Sequence, residues 1–151
     1  MEIIFWILLP NLNSKSIYKD KTCFTFYSII AMNGFKDLKV YRLAFENAME
    51  IYTISKKFPI EERFSLTDQI RRSSRSVCAN IAEAFRNRKY PNSFIHKLTI
   101  ADAECSETLV WLEFAVRCKI TNEVDFDHLS EKTEEIGRLL GAMIQHPEKF
   151  H

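Results

Sequence analysis

The chain has 151 residues, 46% of them apolar and 27% charged, which suits one globular domain with a substantial core. Its formal net charge is +1, so the chain as a whole has no bias toward polyanions, and any electrostatic function must come from uneven placement of charge. It contains only three glycines and four prolines. Long stretches therefore carry no helix breaker, and we expect helices rather than a turn-rich β fold.

Residues 1–34 are set apart from the helical pattern that follows them. The apolar run from Ile3 to Leu9 is far shorter than the roughly 20 residues of a membrane span. Glu2 stands where a signal peptide carries positive charge. We predict no membrane segment, and three interpretations stay open: a weakly ordered extension, a native start at Met32, or an ordinary N-terminal helix or strand.

The first helix is predicted from Lys36 to Lys57. Its apolar positions are spaced three and four residues apart, which is typical of a helical seam. The predicted seam residues are Leu38, Tyr41, Phe45, Ala48 and Tyr52. Pro59 ends this helix, because a residue before proline avoids the helical conformation.

The second helix is predicted from Ser65 to about Asn87, with Ser65 as N-cap and Asp68 in a capping-box position. At 100° per residue, an apolar stripe lies opposite a basic arc, and a polar flank separates them. The stripe consists of Leu66, Ile70, Val77, Ile81, Ala84 and Phe85. The basic arc consists of Arg71, Arg72, Arg75, Arg86 and Lys89, and the polar flank of Gln69, Ser76, Asn80, Glu83 and Asn87.

Two further helices complete the pattern, one over about Pro91 to Lys119 and one over about Glu123 to Gln145. The third helix has a seam of Phe94, Leu98, Ala101, Cys105, Thr108, Leu112 and Ala115, and the fourth of Phe126, Leu129, Ile136, Leu140 and Met143. Four amphipathic helices with short loops predict an all-α fold, an antiparallel up-down-up-down four-helix bundle. The bundle would span residues 35–146, followed by a tail at 147–151.

Charge is segregated between two of these helices. From Ser65 to Lys89, six Lys or Arg stand against two acidic residues, which gives a net charge of +4. From Glu123 to Gln145, two basic residues stand against six acidic ones, which gives −4. The two helices could neutralise each other within one subunit or between subunits.

Catalytic and metal-binding patterns are missing from the sequence. Asp125-x-x-His128 is a single, terminal imitation of the Glu-x-x-His motif of di-metal bundles, and no nucleophile elbow or phosphate loop is present. We therefore expect no enzyme activity, no metal and no cofactor. Instead, a polar network is predicted in which the carboxylates accept hydrogen bonds from amides, hydroxyls and arginines. Its members would be Gln69, Asn80, Glu83, Glu104 and Glu107.

The four cysteines have no ligand-like spacing. Cys78 and Cys105 fall among apolar neighbours within predicted helices, so they are expected to be buried thiols of a reducing compartment. A cytoplasmic location is therefore predicted.

Four segments together resemble the bacterial "four helix bundle protein" family, whose members were first noticed as products of intervening sequences in 23S rRNA genes. The resemblance covers about Phe35 to Ile144. It rests on four motifs: Phe35-x-Asp37-Leu38-x-Val40-Tyr41; Phe58-Pro59-x-Glu61-x-x-Phe64-x-Leu66-x-x-Gln69-Ile70-Arg71-Arg72; Ser76-Val77-x-x-Asn80-Ile81-Ala82-Glu83; and Ala101-x-x-Glu104-x-x-Glu107-Thr108-x-x-Trp111-Leu112.

The resemblance implies a homopentamer of antiparallel bundles with a cationic surface and no established catalytic activity. It also implies kinship with the accessory protein of diversity-generating retroelements, which partners a reverse transcriptase and binds nucleic acid. The chain departs from the family pattern at Ser73 and Ser74, where alanines are common, and at Ala84, where glycine is usual. Nothing marks it as that accessory protein, so a reverse transcriptase partner is not expected.

Two functional hypotheses follow. In the first, a small homo-oligomer binds RNA or DNA through the basic arc, by neutralising phosphates with little reading of bases. In the second, the chain is a structural assembly or protein adaptor, and the arginines make ion pairs or hydrogen bonds within or between subunits.

Overall fold

The computed structural model describes residues 34–150, and within them it contains four α-helices and no strand. The helices are α1 (Lys39–Ser55), α2 (Leu66–Arg86), α3 (Pro91–Arg117) and α4 (Glu123–Gln145). Short 3-10 turns occupy Phe35–Asp37, Ile60–Glu62 and Pro147–Phe150. The predicted all-α fold with four helices is confirmed, while the predictions for residues 1–33 lie outside the described residues.

Each helix packs against the next one along the chain, and α4 returns to pack against α1. The connections at 87–90 and 118–122 are short, and 56–65 contains its own 3-10 turn, so successive helices run antiparallel. It follows that α1 and α3 occupy one diagonal of the bundle and α2 and α4 the other.

The core forms where the apolar faces of all four helices meet. The centre is a cluster of Ile51, Ile70, Leu112 and Leu129, one residue from each helix. All six residues of the predicted α2 stripe and all seven of the predicted α3 seam are buried. In α4 the seam is buried except for Phe126, which is partly buried against the central cluster.

The predicted seam of α1 is partly wrong. Phe45 is 51% exposed, and Tyr41 stacks on it with the ring centroids 6.2 Å apart. The buried face instead consists of Val40, Ala44, Asn47, Ala48, Ile51 and Ser55. Small and polar side chains face the interior because two neighbouring helices approach there, which leaves the bulky aromatic rings on the outer side.

The predicted N-cap position of α2 is confirmed, but the predicted capping box is not formed. Ser65 is the N-cap residue, yet its side chain makes no cap hydrogen bond. Instead, Ser65 Oγ donates to Glu62 Oε2, which also accepts from the backbone N–H of Leu66 at 3.3 Å. The turn at Ile60–Glu62 brings this carboxylate over the start of α2, where free N–H groups and the helix dipole attract negative charge.

Candidate nucleic-acid interface

The basic arc does not form one uniform surface in the folded chain. Arg71 and Arg75 reach toward α1, whereas Arg72 reaches toward α3. Arg86 and Lys89 lie exposed at the other end of α2. The five residues therefore divide into three groups with different neighbours.

The first group gathers around one aromatic ring of α1. Lys56 Nζ lies 4.5 Å from the ring centroid of Tyr52, and the guanidinium carbons of Arg71 and Arg75 lie 5.0 and 5.6 Å from it. We call Tyr52, Lys56, Arg71 and Arg75 the Tyr52 cluster. Each cation is attracted by the electron-rich face of the ring. Within residues 34–150, none of the three has a carboxylate oxygen within 4.0 Å, so their charge is not neutralised by ion pairs.

The geometry of this cluster is fixed by the contact between α1 and α2. Arg71 Nε donates a 2.7 Å hydrogen bond to Oγ of the buried Ser55. Ser55 is the last residue of α1, and Lys56 follows it directly. Because Arg71 is already held, less side-chain entropy remains to be lost when a ligand binds.

The second group is a network between α2 and α3 that is centred on Arg72. Its guanidinium donates to Glu107 Oε1 and, at 3.2 and 3.3 Å, to Gln69 Oε1. Glu107 Oε1 also accepts from Trp111 Nε1 at 3.1 Å. Glu104 Oε2 lies 4.0 Å from Arg72 and has no hydrogen-bond partner among the described residues. The charge of Arg72 is therefore largely compensated within the subunit.

Asn80 and Glu83, which were assigned to the same network, lie elsewhere. Asn80 Nδ2 donates to the carbonyl of Ser76 at 2.9 Å, and Glu83 pairs with Lys97 on α3 at 2.6 Å. Eleven residues of helix separate Asn80 from Gln69, which is about 16 Å along the axis. The network is therefore confined to the N-terminal half of α2.

The third group lies at the C-terminal end of α2. Arg86 and Lys89 are exposed, and neither has an ion-pair partner within the described part of the chain. Arg88, which was not in the predicted arc, covers Phe85 at 4.1 Å and donates to its carbonyl. This end thus offers two free cations rather than a compact cluster.

The acidic helix does not neutralise the basic arc within one subunit, because α2 and α4 lie on opposite corners of the bundle. The carboxylates of α4 have other partners: Glu135 pairs with Lys39 at 2.8 Å and Glu134 with Arg138 at 3.6 Å. Of the two pairings suggested by the sequence, only one between different subunits remains.

His128, from the Asp125-x-x-His128 pair, takes part in an ion-pair cluster between α1 and α4. Glu50 accepts from Lys132 and approaches His128 Nε2, each at 2.9 Å. Burial raises the pKa of Glu50, but the hydrogen bonds and charges of Lys132 and His128 outweigh it, so the pKa is lowered. A groove of about 320 Å³ lies beside this cluster, lined in part by Met49 and Asp125.

Residues 34–150 hold no group of three or more His, Cys, Asp or Glu side chains arranged to bind a metal ion. Burial raises the pKa of the Cys78 thiol to about 11 and that of Cys105 to about 12, the latter also through nearby carboxylates. No helix within these residues combines the length and apolarity needed to cross a bilayer.

Comparison with known proteins identifies a family and, among solved structures, a relative of similar fold. The family model described as "23S rRNA-intervening sequence protein" matches residues 36–142. A crystal structure from Bacteroides thetaiotaomicron, described as a protein with unknown function from the S23 ribosomal protein family, is 33% identical with a TM-score of 0.65. The match covers 70% of this chain and 95% of that one. No curated protein matches the sequence.

Proposed function

The chain belongs to the 23S rRNA-intervening sequence protein family, and we propose that it binds the phosphate backbone of RNA or DNA as a non-enzymatic homo-oligomer. The observation that carries this proposal is the Tyr52 cluster. Three cations lie within 5.6 Å of one ring centroid, and no carboxylate within residues 34–150 pairs with them. Like charges held this closely repel one another, so an anion that bridges them relieves the repulsion.

Phosphate neutralisation predicts a specific dependence on salt. A single strand that contacts the three cations should release counterions with a slope of log K against log salt of about −2. Because Arg72 is engaged by Glu107, we assign it a smaller share of binding than Arg71 and Arg75. Arg86 and Lys89 remain available to extend the contact along α2.

The test is a charge reversal at the cluster. The double variant Lys56→Glu/Arg75→Glu leaves Arg71 and its bond to Ser55 in place, and it should weaken binding of a labelled 20-nucleotide RNA at least about tenfold at low salt. The matched control is Arg138→Glu/Lys149→Glu, which makes the same change in net charge toward the opposite end of the bundle. Equal loss in both variants, or none in either, would refute the proposal.

A second feature supports self-association. Exposed apolar side chains occur on α1 (Phe45 and Met49) and on α3 (Val110 and Phe114). Because α1 and α3 lie on opposite corners of the bundle, the two patches face different ways. Contacts between unlike patches of neighbouring copies close into a ring when the rotation permits, and the family resemblance implies five copies.

Sedimentation velocity tests this assembly. Phe45→Glu and Phe114→Glu should each convert the wild-type oligomer into monomer, because a carboxylate would be buried unpaired in the interface. Val124→Glu, at an even more exposed apolar position on α4, should leave the assembly intact. A monomeric wild-type protein at tens of micromolar would contradict the idea.

The structural alternative for the arginines is supported by Arg72. Its bonds to Glu107 and Gln69 join α2 to α3, as a purely structural role requires. Arg72→Ala should therefore lower the free energy of unfolding by about 1 kcal/mol and leave nucleic-acid affinity nearly unchanged. A large loss of affinity with unchanged stability would instead place Arg72 in the binding surface.

A further inference from the structure

We infer that Phe64 is a stacking platform for an unpaired nucleobase, so that the nucleic acid bound at this end of the bundle is single-stranded. The inference rests on the proposed function and adds the class of nucleic acid. It concerns the connection between α1 and α2, which leaves the bundle beside the Tyr52 cluster and returns at Leu66.

Phe64 is the most exposed large apolar side chain among the described residues, with 85% of its surface open to solvent. Burying a phenyl ring stabilises a fold by about 25 cal/mol for each Å² of apolar surface removed from water. The exposed ring of Phe64 contributes no such stabilisation. This ring is not among the hydrophobic side chains that pack against the central core cluster. The exposed ring is therefore available to a ligand without any rearrangement of the core.

The connection presents this ring in an ordered way. Successive backbone hydrogen bonds join Glu62 to Pro59 at 3.0 Å, Arg63 to Ile60 at 3.1 Å and Ser65 to Glu62 at 3.3 Å. The Glu62 carboxylate then ties the turn to the start of α2. A preorganised turn loses less conformational entropy on binding than a mobile loop does.

Positive charge lies beside the ring. The guanidinium carbon of Arg63 lies 5.3 Å from the Phe64 centroid, which leaves the opposite face open. Between Lys56 and Arg75 the sequence has six Lys or Arg and three Asp or Glu. Proteins that bind single strands combine these two elements, cations along the backbone and aromatic faces for the bases.

Two other occupants suit this surface less well. A membrane surface requires a continuous apolar face on an amphipathic helix, whereas here Ile60 and Phe64 are separated by Glu61 and Glu62 within a short turn. A duplex keeps its bases stacked inside and offers no face to Phe64 except at its ends. An unpaired nucleotide suits both features, because its base can stack on the ring and its phosphate can contact the cations.

The test compares a 12-nucleotide RNA with a blunt duplex of the same sequence, using the full chain. Phe64→Ala should weaken single-strand affinity about tenfold or more and leave duplex affinity within about twofold. Phe64→Tyr should restore it. The matched control is Tyr90→Ala, which removes a 70% exposed aromatic ring from the opposite end of the bundle and should change neither affinity.

A second readout reports stacking directly. A 2-aminopurine placed in the single strand should lose fluorescence on binding the wild-type protein and not on binding Phe64→Ala. The inference is overturned if Phe64→Ala binds the single strand normally, if Tyr90→Ala shows the larger loss, or if Phe64 is needed only for anionic lipid vesicles.

The outcomes separate this inference from the proposal beneath it. Suppose that Lys56→Glu/Arg75→Glu loses affinity for both the single strand and the duplex, while Phe64→Ala keeps both affinities. Phosphate binding then stands and the stacking platform is refuted. If the wild-type protein binds neither strand, both are refuted.

Discussion

The α2–α3 contact and the α1–α4 contact both bury polar side chains, but they differ in how completely those side chains are hydrogen-bonded. Between α2 and α3, Thr108 Oγ1 lies 2.9 Å from Ser73 Oγ, and both hydroxyls are fully buried. Between α1 and α4, Asn47 Nδ2 donates to Thr133 Oγ1 at 2.9 Å, but Asn47 Oδ1 has no partner within residues 34–150. The hydroxyls of the α2–α3 pair are both hydrogen-bonded, whereas the amide of Asn47 uses its donor and leaves its acceptor without a hydrogen bond within residues 34–150.

The difference follows from the size of the side chains at each contact. The small residue Ser73 lies against Thr108 of α3, and α2 and α3 have the most extensive packing of any helix pair in the described bundle. Between α1 and α4 the longer side chains of Glu50, His128 and Lys132 meet beside an open groove. Small side chains allow two helices to pack closely, whereas long polar side chains leave a groove between them.

The largest expected effect concerns the access of a thiol reagent to the contact between α2 and α3. Cys78 and Cys105 are buried in α2 and α3, whereas Cys118 is exposed after α3. Because labelling of a buried thiol requires the bundle to open, we expect Cys78 and Cys105 to react at least about a thousandfold more slowly than Cys118. Mass spectrometry of labelled peptides measures each site separately. Comparable rates would show that α2 and α3 are not sealed.

The second effect is overpacking. Ser73→Leu adds two heavy atoms to a fully buried site, and it should lower the free energy of unfolding by about 2–3 kcal/mol in urea denaturation. The control is Thr53→Leu, which enlarges a residue of the open groove and should change stability by less than about 0.5 kcal/mol. If both variants lose equally, the contrast between the helix pairs is wrong.

The third effect concerns the two polar pairs. Thr108→Val removes a hydroxyl that bonds both Ser73 and the carbonyl of Glu104, and it should cost about 1 kcal/mol. Asn47→Leu replaces a half-satisfied amide with an apolar group of similar size, and it should be neutral or stabilising. Thermal unfolding of both variants measures the contrast, and a larger loss from Asn47→Leu would reverse it.

The smallest effect is a dependence on pH at the α1–α4 contact. The pKa of Glu50 is lowered in the folded chain, so its contribution is present above the unfolded pKa and is lost as pH falls through the folded value. Because the side chain is 41% exposed, we expect about 0.5 kcal/mol. Glu50→Gln should therefore lose less stability than wild type between pH 6 and pH 3.

Glu131→Gln serves as the control for this prediction, since it removes an exposed carboxylate of α4 that contacts neither Lys132 nor His128. It should keep the pH dependence of the wild type. A flattened profile in the control would assign the effect to net charge instead.

The sequence predicted the parts of the fold in which one helical face is uniformly apolar. The stripe of α2 and the seam of α3 are buried as expected, because every residue on those faces favours the core. The pattern failed on α1, where Asn47 and Ser55 take core positions and Phe45 does not. Residue type alone could not show that two helices approach that face closely.

For the candidate site, the sequence predicted only the angular positions of the arginines around the axis of α2. A helical projection places Arg71, Arg72 and Arg75 on one side of α2, but it does not show which neighbouring helix each one meets. Lys56 was missed because it lies at the C-cap of α1 and not on α2, although it follows Tyr52 by four residues and thus lies on the same face. Phe64 also left a signal, an aromatic residue beside Arg63 in a connection too polar to bury it.

The diagonal placement of α2 and α4 has an electrical consequence that the net charge of +1 conceals. Neighbouring helix axes lie 8–10 Å apart in such packing, so opposite corners are separated by roughly 13 Å. Charges of +4 and −4 at that separation contribute a dipole moment of roughly 250 debye. A polyanion at a distance would exert a torque on this contribution that turns the α2 corner toward itself.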